Sequence, residues 1–301
     1  MSRKYKLFQV DSFTDTAFRG NPAGVVLDAD GLTDQQMQQI ARELNNSETV
    51  FILSPTASDH EVWLRYFTPT MEVPTCGHAT IAAHYIRALE NGINSGVVMQ
   101  KIGIGILPIE IIRENGDLKI LMTQGEVKIS NPVDGELLRE ILEALKLNRS
   151  DIQENCPVQE VSTGSCKYII CLKNSDILNK IEPSFSKLTT ISESTGCKGY
   201  FPFSFDTGRE EILTTARMFA PAMGINEDPV TGNGNGPLGA YMIHNNLVEH
   251  DGKNFKFRGE QGVSMGRQGF VDVSVEIEDG EPVKVIIGGK AVTVFQTEIE
   301  I

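Results

Sequence analysis

Arg65-Tyr-Phe-Thr-Pro-Thr-Met71 returns later in the chain as Arg217-Met-Phe-Ala-Pro-Ala-Met223, and both copies obey the pattern R-x-F-x-P-x-M. Four identities in seven positions can arise by chance in a chain of 301 residues, but the likeness continues downstream. Twelve residues after Arg65 stands Gly77-His-Ala-Thr80, followed by an apolar run at residues 81–89. Fifteen residues after Arg217 stands Gly232-Asn-Gly-Asn235, followed by another such run at residues 238–247. Each copy reads strand, proline turn, glycine-led loop, helix, the signature of a duplicated supersecondary unit. The expected fold is α+β, two similar halves facing one another across a cleft of the kind in which ligands bind.

Outward from the two copies, residues 4–12, 24–27, 49–53 and 61–68 read as strands, with turn residues Gly20-Asn21-Pro22 between the first two. Thr33-Asp-Gln-Gln36 is a capping box, and Met37, Ile40, Ala41 and Leu44 follow it at helical spacing. Residues 80–90 read as a helix closed near Asn91-Gly92. Strands at 97–100, 104–112 and 118–123 precede a helix at 135–145 with Leu137, Leu138, Ile141 and Leu142 inward, and the tail from Phe255 is strand-rich again. No proline- or serine-rich linker interrupts the chain, so the two halves are expected to pack closely.

Composition narrows the function. Apolar residues at 40 % and charged residues at 22 % are ordinary globular values, and the length suffices for a core without disulfides or a structural metal. No apolar run approaches the roughly 20 residues of a membrane span. The N-terminal stretch Met1-Ser-Arg-Lys-Tyr5 is basic but has no apolar signal-peptide centre behind it. Twenty-seven basic against 40 acidic residues give a net charge of −13, which repels phosphate backbones and disfavours nucleic acid as a partner. Five cysteines, an odd number without CxxC spacing, point to reduced thiols and a cytoplasmic protein. The five histidines form no ligand-spaced pair with those cysteines, so no metal is expected.

Each glycine-led loop opens a helix, and a helix start offers unpaired N–H groups with partial positive charge. Two converging starts would hold one small carboxylate without an arginine. The alternative is that the glycines only permit tight turns. Thr231-Gly-Asn-Gly-Asn-Gly236 lacks the lysine of a phosphate loop, and Asp228-Pro229 stands where a dinucleotide fingerprint needs an apolar strand. Asp228, at the mouth of that loop, suits a substrate amine, although Glu227-Asp228 also reads as a solvated turn pair. His78 can donate to a carboxylate or relay a proton, whereas His84 on the following helix reads as packed. Glu48 stands where a polar loop turns into a dry strand, a setting for a general acid/base or for a plain exposed charge. Cys76 at a helix start can act as base or nucleophile. Its counterpart in the other half is Thr231, which disfavours a symmetric two-thiol racemase.

Several motifs run in order along the chain: Val10-Asp-Ser-Phe13, Phe18-Arg-Gly-Asn-Pro-Ala-Gly24, Ser47-Glu-Thr49, Phe67-Thr-Pro69, Cys76-Gly-His78 and Glu227-Asp-Pro-Val-Thr-Gly232. On these the chain resembles the phenazine-biosynthesis PhzF-like family, whose fold is that of diaminopimelate epimerase. The resemblance implies two halves, each a curved mixed β-sheet or half-barrel around a central helix. Residues 1–124, rejoined by a last strand in 289–301, form one half and residues 125–288 the other. It further implies a homodimer and proton transfer between carbons by a glutamate, without metal or organic cofactor. The glutamate maps onto Glu48, the supporting histidine and aspartate onto His78 and Asp228, and the loop amides onto Gly77 and Gly232. Two positions depart from the family pattern: Asn233 replaces a serine, and Cys76 resembles the first catalytic cysteine of the epimerase.

The expected activity is therefore a cofactor-independent isomerase that moves a proton between carbons of a small carboxylate-bearing, amino-acid-like or cyclic substrate. Glu48, His78 and Asp228 are the expected catalytic residues; Cys76, Gly77, Gly232 and Asn233 are the expected substrate contacts. Two alternatives stand beside it: an epimerase using Cys76 as base, and a non-catalytic binder of small acids on the same fold.

Overall fold

The computed structural model describes residues 3–114 and 116–301; Met1 and Ser2 of the basic N-terminal stretch lie outside the described residues. The first elements are β1 (Lys4–Ser12), β2 (Asn21–Leu27), α1 (Asp34–Leu44), β3 (Glu48–Leu53), β4 (Val62–Phe67), β5 (Glu72–Val73) and α2 (Gly77–Glu90). Next come β6 (Gly96–Ile102), β7 (Gly105–Glu114), β8 (Asp117–Thr123), β9 (Lys128–Pro132), α3 (Gly135–Ala144), β10 (Gln159–Ser162), β11 (Cys166–Leu172), α4 (Ser175–Asn179) and α5 (Phe185–Thr195). They are followed by β12 (Tyr200–Ser204), β13 (Thr214–Ala216), β14 (Met218–Ala220), β15 (Ile225–Asp228), α6 (Gly232–His244), β16 (Asn254–Gln261), β17 (Gly269–Glu278), β18 (Glu281–Gly289) and β19 (Ala291–Glu300). The chain divides into two compact units, one running to Met122 and resuming at Gly288–Ile301, the other Thr123–Ile287.

The two units repeat one connectivity. In the first, β1 and β2 are antiparallel, β2 and β3 parallel, β3 and β4 antiparallel, β4 and β6 parallel, and β6 and β7 antiparallel. In the second, the same alternation runs β10–β11, β11–β12, β12–β13, β13–β16 and β16–β17. A parallel pair needs a crossover, usually a helix. The first crossover of each unit holds α1 or the pair α4 and α5, and the second holds α2 or α6. β19 pairs antiparallel along β1 and so belongs to the first unit.

The echoed heptapeptides make the same contacts in each unit. Arg65 gives Glu72 a two-pronged ion pair at 2.7 Å, and Arg217 does the same to Glu227 at 2.8 Å. Each guanidinium also lies over the ring two residues on, Phe67 at 5.2 Å and Phe219 at 4.8 Å. The arginines thus pin the short strand that follows each proline turn, and the paired glutamate stands five residues before the first helix residue in both copies, Glu72 before Gly77 and Glu227 before Gly232.

Burial shows why the local sequence adopts these elements. The Thr33 hydroxyl accepts from the Gln36 amide while the Gln36 side chain accepts from the Thr33 amide, completing the capping box of α1. Met37, Ile40 and Ala41 of that helix join Leu7, Val26, Phe51 and Leu53 in a core on one face of the sheet. α2 packs on β1, β2 and β3, and nine of its fourteen residues are buried. β17, Gly-Phe-Val-Asp-Val-Ser-Val-Glu-Ile-Glu, buries every second residue. It packs against α6, which is apolar on all sides and buried from Gly234 to Ile243. A second core joins α3 and α5 to Tyr168, Ile170 and Leu172 of β11.

Some boundaries differ from the sequence expectation. β2 starts at Asn21, so two residues assigned to a turn are already paired with β1. The glycine-led segments are not loops before the helices but their first turns, since α2 begins at Gly77 and α6 at Gly232. In α6 the glycines permit close packing: a Cβ on Gly234 would overlap the Phe201 ring, and one on Gly236 the Gln124 amide. Among the described residues no helix is long and apolar enough to cross a membrane.

Candidate active site

In the first unit the fold gathers three of the expected residues. Glu48 opens β3, Cys76 is the N-cap of α2 and His78 is its second residue. The imidazole lies between the other two, with Nε2 3.4 Å from Glu48 Oε2 and Nδ1 3.4 Å from Cys76 Sγ. The Ser47 hydroxyl is 3.3 Å from the same Nε2. All three side chains are largely shielded: His78 and Cys76 are 8 % exposed and the Glu48 side chain 12 %. Glu48 Oε2 is buried, yet no hydrogen bond reaches it among the described residues. The Glu48 carboxylate is therefore shielded rather than set at a strand start in solvent, and its Oε2 is one of nine buried side-chain polar atoms among the described residues that no hydrogen bond reaches.

Neighbouring elements hold this arrangement. The Ser12 hydroxyl donates to the His78 carbonyl at 2.8 Å, tying β1 to the first turn of α2. Thr80 Oγ1 donates to the Cys76 carbonyl at 2.7 Å and is 2.6 Å from the buried Tyr66 hydroxyl, whose pKa burial pushes far up. A reciprocal amide pair between Gln9 and Asn46, at 3.1 and 2.8 Å, fixes the turn that delivers Glu48. A Cβ at Gly77 would meet only the Met122 methyl at 3.5 Å. Packing does not demand that glycine; its effect is to leave the backbone approachable.

The second unit gathers Asp228, Gly232 and Asn233 into one turn. Asp228 ends β15 and accepts from the Thr231 hydroxyl. Gln261, fully buried at the end of β16, receives the Thr231 amide at 2.9 Å and donates to the Asp228 carbonyl at 2.7 Å. The Asn235 side chain donates back to the Thr231 carbonyl at 3.0 Å. Thr80 does the same to Cys76, four residues earlier, so the echo extends to hydrogen bonds. Neither N-cap side chain caps its own helix. Pro237 lies inside α6, where its ring crowds the carbonyl four residues back. That residue is Asn233, and its ψ of 23° is the point at which the helix kinks. The Thr163 hydroxyl stands 3.4 Å from Asn233 Oδ1 and 2.6 Å from Gln124 Oε1.

Packing decides two residues beside the candidates, Glu227 against the solvated-turn reading and His84 in line with its packed reading. Glu227 is not a solvated turn partner of Asp228, because it is paired with Arg217 and accepts from Ser264 at 2.8 Å. His84 is completely buried, and burial pushes its imidazole down to about 4. Sequence reading gave no role to Ser12, although it stands in the motif Val10-Asp-Ser-Phe13, and missed Gln261, Gln124 and Thr163, which lie at or beside strand ends with nothing local to distinguish them. It missed Lys167 as well, a buried ammonium in the field of Asp228 that donates to Ser165 and to the Cys166 carbonyl.

Folding also builds donor sets that spacing does not reveal. The ligand atoms of Glu48, Cys76 and His78 lie within 4.8 Å of one another, compact enough for a cation as well as for proton transfer. Their convergence comes from β3 running alongside β2 under the start of α2, not from a local ligand motif.

Comparison with known proteins agrees with this architecture. The family described as phenazine biosynthesis-like protein, PhzC-PhzF, matches residues 10–297. An uncharacterized isomerase of Clostridium acetobutylicum is 52 % identical over 299 residues, covering 99 % of both chains. The uncharacterized isomerase YddE of Salmonella typhimurium is 48 % identical, covering 98 % of both. The crystal structure of a PhzF-family phenazine biosynthesis protein from Bacillus anthracis, 32 % identical, superimposes with a TM-score of 0.89 over 99 % of this chain and 100 % of that one. With its duplicated α+β architecture and a match along nearly its whole length, the chain belongs to the phenazine biosynthesis-like family of isomerases.

Proposed function

We propose that this isomerase moves a proton between carbons of a small carboxylate-bearing substrate, amino-acid-like or cyclic, with Glu48 as the acid/base and without metal or organic cofactor. The observation that carries the reading is the shielded, unbonded Oε2 of Glu48, 3.4 Å from His78 Nε2. A carboxylate so placed can take a proton from carbon and return it elsewhere, while His78 orients the substrate and steadies the charge on Glu48. Uncapped helix amides at Gly77 suit a substrate carboxylate, and neutralising that carboxylate makes the adjacent carbon more acidic. From the sequence echo, the second unit is proposed to contribute Asp228 for a substrate amine and Asn233 with the Gly232 amide for hydrogen bonds. An amide at 233 still donates hydrogen bonds but cannot relay a proton as a hydroxyl does.

The test is exchange of carbon-bound hydrogen in heavy water, screened over amino acids and cyclic carboxylates that stabilise the protein thermally. Exchange that disappears in Glu48→Gln while ligand stabilisation persists supports the reading. Exchange at the wild-type rate in that variant removes Glu48 from the chemistry, and ligand binding with no exchange in the wild type makes the protein a binder. A second reading is favoured by one specific contact, Cys76 Sγ at 3.4 Å from His78 Nδ1. There the imidazole acts as base to the thiol and the enzyme is a Cys76-dependent epimerase. Loss of exchange in Cys76→Ala with retention in Glu48→Gln selects it.

A further inference from the structure

The second unit brings three metal-type donors to one point. Sγ of Cys166 at the start of β11, Sγ of Cys197 in the turn between α5 and β12, and the carboxylate of Glu160 in β10 lie within 4.8 Å of one another. No local motif announces this, since thirty-one positions separate the two cysteines. The sheet assembles it: β10 pairs with β11 so that Glu160 stands opposite Tyr168, and β11 pairs with β12 so that Tyr168 stands opposite Tyr200. The Tyr168 amide donates to the Gly199 carbonyl at 2.8 Å, which pins the Cys197 turn beside the start of β11.

We propose that Cys166, Cys197 and Glu160 bind a thiophilic divalent cation of the zinc class, with the fourth tetrahedral position open to water. Zinc takes thiolate sulfur at about 2.3 Å and carboxylate oxygen at about 2.0–2.2 Å, so its ligands stand roughly 3.3–3.8 Å from one another. The observed cluster needs only small side-chain adjustments to reach that spacing. Two half-buried ligands, Cys166 and Glu160, give the ion a route in, and buried Cys197 gives it a dry side. A disulfide would use the two sulfurs and leave Glu160 without a part, whereas a cation uses all three donors. Binding would release a proton from each thiol that becomes thiolate. It would also brace the turn between β10 and β11, which carries Thr163 against Asn233.

The protein, stripped with a chelator and kept reduced, is titrated with Co²⁺ alone and then with Zn²⁺. The expected result is saturation at one Co²⁺ per chain, with thiolate-to-cobalt charge-transfer absorption that Zn²⁺ abolishes. Cys166→Ser and Cys197→Ser should lose the band. Glu160→Gln, a conservative change at a half-buried position, should keep it and bind about tenfold or more weakly. Cys76→Ser should leave it intact, which separates this site from the Glu48, Cys76 and His78 cluster. The proposal is overturned by the absence of a thiolate band in the wild type, or by a band that survives Cys166→Ser and vanishes in Cys76→Ser. Formation of a Cys166–Cys197 disulfide in protein that shows no cobalt band also overturns it.

Discussion

Glu48 and His84 show how differently the fold treats two polar groups of one unit. Glu48 keeps a shielded oxygen unbonded beside an imidazole, and Glu48→Gln should lower turnover by roughly 10²–10⁴-fold, the usual weight of a positioned acid/base. Substrate-induced thermal stabilisation should change little, because the amide keeps the shape and removes only the proposed base. His84 is buried in full, and that burial favours the neutral ring, outweighing the 2.9 Å bond from its Nε2 to Gln100 Oε1, which by itself favours the protonated form. Its folded pKa of about 4 lies below the ordinary 6.5, so the unfolded chain binds the proton first as pH falls. Stability from this group is complete above pH 6.5 and declines between 6.5 and 4, by roughly 3 kcal/mol in all. Urea unfolding measured across that window should show a shallower pH slope in His84→Gln than in the wild type; equal slopes would mean that another group titrates.

At the scale of elements, the glycines at the starts of α2 and α6 have separate reasons. Gly234 is required by packing, for a Cβ there would overlap the Phe201 ring, and Gly234→Ala should cost about 1–3 kcal/mol in chemical denaturation. Gly77 has ordinary clearance, so Gly77→Ala should leave stability within about 0.5 kcal/mol. The same change puts a methyl group over the helix amides and should weaken binding of the carboxylate substrate proposed above. Comparable losses of stability in the two variants would contradict the distinction. A sequence reader sees two similar glycine runs here and cannot tell a close approach from an approachable backbone. The difference lies in Phe201 and Met122, which reach these helices from distant strands.

For the molecule as a whole, duplication is the governing fact, and the two copies carry unequal loads. Arg217 is 8 % exposed, pairs with a Glu227 side chain only 17 % exposed, and also donates to the Leu178 and Ile181 carbonyls. Arg65 pairs with Glu72, whose side chain is 44 % exposed. Arg217→Met should therefore cost about 3 kcal/mol by stranding a shielded carboxylate. Arg65→Met should cost distinctly less, since water can take over the solvation of Glu72; equal shifts in unfolding midpoint would refute this account. The α+β class, the repeat, the capping box, most strands and the motifs around Glu48, Cys76, His78 and Asp228 were legible in the chain. They depend on periodicity, capping and spacing over a few residues, which are local properties. Tertiary structure alone decided that the imidazole stands between Glu48 and Cys76, and that Gln261 and Ser12 hold the helix starts. It alone brought Cys166 to Cys197 and Glu160. Those proximities arise where strands distant in sequence pair side by side, and no window of neighbouring residues records which strand will be the neighbour.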